Sequence, residues 1–228
     1  MARMGAIKFF AVLPLQLIEF DLNSLSYAQD SRSWIIPLIH IHLKKDANLD
    51  FFVAYFMPMI MQLDKLRDLE VKNPKGSDIK VKKYETLLVQ VWSLLPQFCS
   101  SNSPNMSDCF MQVLNFLEPI LNQNVLGLRL VALKTFSALI SHCRHTKVVD
   151  DEIRKTRKGL QNIAMDYIQG LVALYQQDET VVENTDAMEI DGAKPKSKVK
   201  SLGQQKILVT LQDFASIAKA GKLSNLFL

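Results

Sequence analysis

Asp50-Phe51-Phe52-Val53-Ala54-Tyr55-Phe56-Met57-Pro58-Met59-Ile60-Met61-Gln62-Leu63-Asp64-Lys65-Leu66-Arg67-Asp68-Leu69-Glu70-Val71 is the stretch whose reading decides the fold. Phe52, Tyr55, Phe56, Met59, Ile60, Leu63, Leu66 and Leu69 recur at intervals of three and four. That spacing places them on one stripe of an α-helix that must face a core. Asp50 is the expected N-cap, because its carboxylate can accept the unpaired amides of a first turn. Asn73-Pro74-Lys75-Gly76 reads as the turn that ends the segment.

The same pattern continues in both directions. Ser31 or Ser33 opens a helix to about Lys45, with Trp34, Leu38, Ile41 and Ile35 on its stripe. Ser77 or Asp78 opens another through Tyr84, Leu87, Leu88, Val91, Trp92 and Leu95. Ser107 or Asp108 caps a helix from Cys109 to about Leu121, and Asn124 one from Val125 to about Cys143. Asp150 or Asp151 starts a helix to Tyr175, its acids suiting the positive end of the helix dipole. No segment alternates as a strand must.

Composition agrees with this reading. At about 150 residues per domain, 228 residues make one to two domains or one short repeat array. Hydrophobic residues are 48% and charged residues 22%, an ordinary balance for a soluble protein. Only 8 Gly and 8 Pro count against sandwiches and collagen. Three widely spaced cysteines disfavour a disulfide framework and point to a reducing compartment. A net charge of +4 does not by itself argue for nucleic-acid binding. No apolar run reaches the roughly 18–20 residues of a membrane span. The start, Met1 to Ala11, is positive and then apolar like a leader, but Glu19 and Asp21 interrupt the stretch after it. Ile7, Phe10, Ala11 and Leu13 read better as one face of a helix that Pro14 ends.

Helices joined by short turns suggest a HEAT/armadillo-like α-solenoid of antiparallel helical pairs, about five at 40–47 residues each. A bundle is the alternative. Aliphatic-proline steps, Leu13-Pro14, Ile36-Pro37, Met57-Pro58 and Leu95-Pro96, with Glu118-Pro119 besides, favour the solenoid, whose helices proline bends. The expected organisation is helical repeats over 1–176, a disordered acidic-then-basic linker over 177–200 and a further repeat helix over 201–228. The linker passes from Asp178, Glu179 and Glu183 to Lys194, Lys196, Lys198 and Lys200, with too few large apolar groups to offset the entropy of ordering.

Four pieces occur in order: Val12-Leu13-Pro14-Leu15; Ser31-Arg32-Ser33-Trp34-Ile35-Ile36-Pro37-Leu38-Ile39; Phe51-Phe52-Val53-Ala54-Tyr55-Phe56-Met57-Pro58; and Lys83 to Cys99, ending Val91-Trp92-Ser93-Leu94-Leu95-Pro96-Gln97-Phe98-Cys99. Together they resemble the central HEAT region of the ribosomal RNA-processing protein 12 family. The Trp-x-Leu-Leu-Pro-x-aromatic-Cys of the last piece is its most telling part. The close match runs from Val12 to Cys99 and a looser one to about Tyr175. The resemblance implies a scaffold of pre-ribosomal particles in the nucleus and nucleolus, acting in small-subunit assembly and export. It also implies pre-ribosomal proteins, pre-rRNA and nuclear transport factors as partners. Proteins of that family are much longer, so the chain reads as a fragment, a truncated gene model or a short isoform. The alternative is a karyopherin-like transport or protein-interaction solenoid without RNA binding, which an acidic concave face would favour.

Chemical sites are few. His142-Cys143-Arg144-His145 lacks zinc spacing, since two residues separate the histidines. His40 and His42, two apart on a helix, point away from each other. Neither a nucleophile turn nor a phosphate-cradling glycine loop is present. The expectation is no catalytic residue, no metal, no cofactor, no small-molecule substrate and no membrane. Trp34, Trp92, Tyr55 and Phe56 sit at helical spacing and read as core rather than as base-stacking groups. Arg154, Lys155, Arg157 and Lys158, with Arg144 and Lys147 shortly before, form the candidate RNA-phosphate patch. Lys194, Lys196, Lys198 and Lys200 form a candidate nuclear-import stretch.

Overall fold

A computed structural model of the chain describes residues 6–15, 17, 32–42, 48–101, 103–122, 126–146, 150–186 and 202–218. Every regular element among them is helical. In order they are α1 (Ala6–Val12), α2 (Ile35–His42), α3 (Leu49–Phe51), a π-helical turn (Phe52–Phe56), α4 (Met57–Lys72), α5 (Asp78–Trp92), α6 (Leu95–Phe98), α7 (Met106–Asn122), α8 (Leu126–His145), α9 (Asp151–Asp186) and α10 (Leu202–Ile217).

The long helix expected from Phe51 is therefore three pieces, and Pro58 gives the reason. A proline has no N–H and its ring crowds the carbonyl four residues back. The chain widens into a π turn just before it, with the Met57 amide bonding the Phe52 carbonyl. Asn48, not Asp50, is the cap, accepting the Phe51 amide at 3.0 Å. Asp50 instead reaches α7: Cys109 Sγ donates to its carboxylate at 3.0 Å, while its own amide donates to Ser103 Oγ at 3.1 Å. Pro96 likewise stands in the first turn of α6, Pro37 in that of α2, and Pro14 follows α1. Of the proline steps, Pro119 alone lies inside a helix. The prolines mark starts and ends more than bends.

Cross-helix contacts define how the elements stack. Ser107 of α7 meets Glu152 of α9, and Phe110 lies beside Gly159. Sequence numbers rise together, so α7 and α9 run parallel. Thr210 of α10 approaches the Leu133 carbonyl of α8, and Ser216 takes a bond from Arg144. α8 and α10 are parallel too. Since a short connection makes α7 and α8 antiparallel neighbours, α9 and α10 are the next such pair, stacked on the last. That translation of a helical pair onto its successor is the repeat of an α-solenoid. Three such pairs are described, α4–α5, α7–α8 and α9–α10, against an expected five.

The core is continuous through these layers. Phe52, Phe56, Phe98 and Trp92 pack ring against ring at the base of the α4–α5 hairpin, with centroids 5.4–6.1 Å apart. Phe136, Tyr167 and Phe214 join α8, α9 and α10 at 4.8–5.5 Å. Trp92 and Phe56 are buried and Tyr55 half-buried, whereas Trp34 is 63% exposed. Trp34 lies in the turn before α2, where helical spacing does not apply, and Ile35, Ile36 and Ile39 take the inward face. α9 runs on to Asp186, past the boundary expected at 176. Residues 187–201 lie outside the described part. Among the described residues no helix is long and apolar enough to cross a membrane.

Candidate nucleic-acid interface

The predicted basic patch spans the end of α8 and the first turns of α9. Arg154 lies 3.0 Å from Asp151 and Lys155 2.9 Å from Glu152, each an i,i+3 pair on its own helix. The Glu152 carboxylate also accepts the Ser107 amide at 3.1 Å. The Lys155 bond and that amide hold its pKa below the usual carboxylate value, and Glu152 in turn raises that of Lys155.

Arg157 turns inward. It is half-buried and its Nη2 donates to the Cys143 carbonyl, so it neutralises the carbonyl end of α8. Arg144 donates to Ser216 Oγ at 2.8 Å and ties α8 to α10. Lys158 is exposed, one turn on from Arg154. Lys147, Lys194, Lys196, Lys198 and Lys200 lie outside the described residues. The patch thus splits: Arg144 and Arg157 brace the fold, Arg154 and Lys155 balance adjacent acids, and Lys158 faces solvent. Exposed pairs of this kind contribute only about 0–1 kcal/mol, so phosphates can compete for Arg154 and Lys155.

A denser set of cations went unnoticed in the sequence. The outer half of the α4–α5 hairpin, residues 64–86, contains no buried residue. Between Lys72 and Lys83 it carries five lysines and one acid. Lys72, Lys75 and Lys82 are exposed there, and Lys80 stands 3.8 Å from Glu70. Counting charge in a sliding window, instead of searching for clusters beside a helix start, finds it.

Metal and nucleophile chemistry have no foothold in the described part. Cys99, Cys109 and Cys143 are free and buried. Burial pushes all three thiols up, Cys109 to about 12 with help from its bond to Asp50, and Cys143 to about 11. They stay protonated, whereas ligation and nucleophilic attack need thiolate. Among the described residues no three His, Cys, Asp or Glu side chains converge as a metal set.

Stacked helical pairs with a continuous core and open outer faces define a HEAT-repeat solenoid. The family profile described as ribosomal RNA-processing protein 12, HEAT repeats, matches residues 1–178. The chain belongs to that family. It is 36% identical over 88 residues to the RRP12-like protein of Homo sapiens, a match covering 38% of this chain and 6% of that protein. Over 150 residues it is 29% identical to the putative ribosomal RNA-processing protein 12 of Schizosaccharomyces pombe, covering 64% and 12%. With ribosomal RNA-processing protein 12 of Saccharomyces cerevisiae it shares 33% over 96 residues, covering 42% and 7%. The chain therefore spans only a small part of the length of these relatives.

Proposed function

We propose that the chain is a non-catalytic scaffold segment in ribosome biogenesis, working in the nucleus and nucleolus on rRNA processing and on small-subunit assembly or export. The family match over residues 1–178 carries this reading. Stacked helices support it physically: they give a long surface on which many weak contacts add, without a catalytic pocket. Its partners are pre-ribosomal proteins and pre-rRNA, with nuclear transport factors in the export step.

RNA contact on this reading is electrostatic and falls on two places. The first is Lys158 with Arg154 and Lys155 on α9, Arg144 and Lys147 contributing from the preceding segment. The second is Lys72, Lys75 and Lys82 at the hairpin tip. Each phosphate neutralised releases counterions and steepens the salt dependence. Lys194, Lys196, Lys198 and Lys200 are the proposed import stretch.

The test is affinity purification of the tagged chain from nuclear extract, with and without RNase. Small-subunit precursors that disappear on RNase treatment, and that weaken when Lys72, Lys75 and Lys82 become Glu, are the expected result. Transport receptors recovered without pre-ribosomal RNA would instead establish the karyopherin-like alternative.

A further inference from the structure

A small pocket opens between the parallel helices α7 and α9, away from both lysine-bearing surfaces. Its volume is about 120 Å³. Ligand pockets for drug-sized molecules run about 300–1,000 Å³, so this one suits a side-chain tip. Leu121, Leu171 and Leu174 supply an apolar floor, while Glu118 and Asp166 stand on its rim.

Two further observations show how the pocket is built. Gly170 lines it, and a Cβ placed there would meet nothing within 4 Å. The absence of a side chain is what leaves the space open. Tyr167 also lines it, its ring held between Phe136 at 4.8 Å and Phe214 at 5.5 Å. Its hydroxyl oxygen is enclosed and finds no hydrogen-bond partner among the described residues. A buried hydroxyl without a partner costs free energy that a ligand group can recover. Burial and the nearby Glu118 raise its pKa, so it remains neutral, with a lone pair available to accept.

We infer that this pocket receives an arginine side chain from a basic segment of a partner protein. The aliphatic stem would lie on the leucines, as long cationic side chains do on apolar surface. The planar guanidinium carries five donors and can serve two carboxylates and a hydroxyl together, which a lysine ammonium does less well. Phosphate is excluded here, because both rim charges are negative. The inference concerns protein recognition and stands or falls separately from RNA binding at the lysines.

The experiment titrates the whole chain, with labelled leucine methyls, against acetyl-Gly-Arg-Gly-amide and its citrulline counterpart, a neutral isostere. The expected result is saturable shifts at Leu121, Leu171 and Leu174 with the arginine peptide, at least tenfold weaker with citrulline. Glu118→Gln with Asp166→Asn should reduce affinity at least tenfold. Gly170→Met should abolish the shifts while leaving thermal unfolding unchanged, since its side chain enters open space. Equal binding of citrulline would make this an apolar groove and overturn the inference. So would wild-type affinity in the folded Gly170→Met chain, or shifts confined to other parts of the molecule.

Discussion

The two halves of the α4–α5 hairpin belong to the same helices and are stabilised by different physics. At the base, Phe52, Phe56, Leu87, Leu88, Val91 and Trp92 are buried against α6 and the helices beyond. At the tip nothing is buried, and the exposed Leu69, Val71 and Ile79 touch water. There the chain is held by hydrogen bonds. Gly76 donates to the Asn73 carbonyl at 2.8 Å, Lys75 to Asn73 Oδ1 at 3.0 Å and Ser77 to Glu70 Oε1 at 2.9 Å. An apolar stripe says which face of a helix can be buried; whether anything arrives to bury it depends on where the neighbouring helices end.

That contrast can be broken most forcefully at the base. Phe52→Ala should lower stability by about 3–5 kcal/mol in urea unfolding, because it opens a cavity among four rings. A loss under 1 kcal/mol would mean that the base is not the stabilising half.

Alkali should act on the base as well. The Cys109 thiol bonded to Asp50 is raised from its ordinary 9.0 to about 12. Between those values the unfolded chain releases a proton that the folded chain keeps, so stability is whole below about pH 9 and falls as pH rises toward 12. Unfolding measured from pH 8 to 11 should show a shallower slope in Cys109→Ala than in the native chain, by up to about one proton. Parallel slopes would contradict the assignment.

Changes at the tip should be smaller. Gly76→Ala should cost about 1–3 kcal/mol, since its Cβ would collide with the Glu70 carbonyl and lie 2.9 Å from that of Asn73. Glu70→Ala removes the acceptor of the Ser77 amide and should cost about 1 kcal/mol, the size of a lost helix cap. Ile79→Ser should stay within about 0.5 kcal/mol, as surface changes do. A larger loss in a thermal melt would show that the tip is covered.

Much of this architecture was legible from residue spacing. The helical class, the turn at Asn73–Gly76 and the inward faces of α8 and α9 follow from periodicity and turn chemistry. The helix caps were not. Ser77 and Asp108 are plausible local caps, but the acceptors used at the starts of α5 and α7 are Glu70 and Glu152, the latter 45 positions away. No local pattern encodes a bond across such a distance. The basic patch misled for a related reason: a row of cations can be counted in the sequence, but the inward turn of Arg157 to the α8 carbonyls is settled only by packing. The pocket beside Gly170 was invisible, because its walls come from two helices and its opening from a missing side chain.

Glu152 has one more consequence, for how the array comes apart. It starts α9 and also closes the first turn of α7, so one carboxylate serves two successive repeats. When the last pair peels away, α7 loses an acceptor for its Ser107 amide and its own first turn loosens. Nearest-neighbour coupling in a repeat protein is usually an apolar contact area. Here part of it is a single polar latch, and fraying from the α9–α10 end should propagate one repeat inward rather than stop at the boundary.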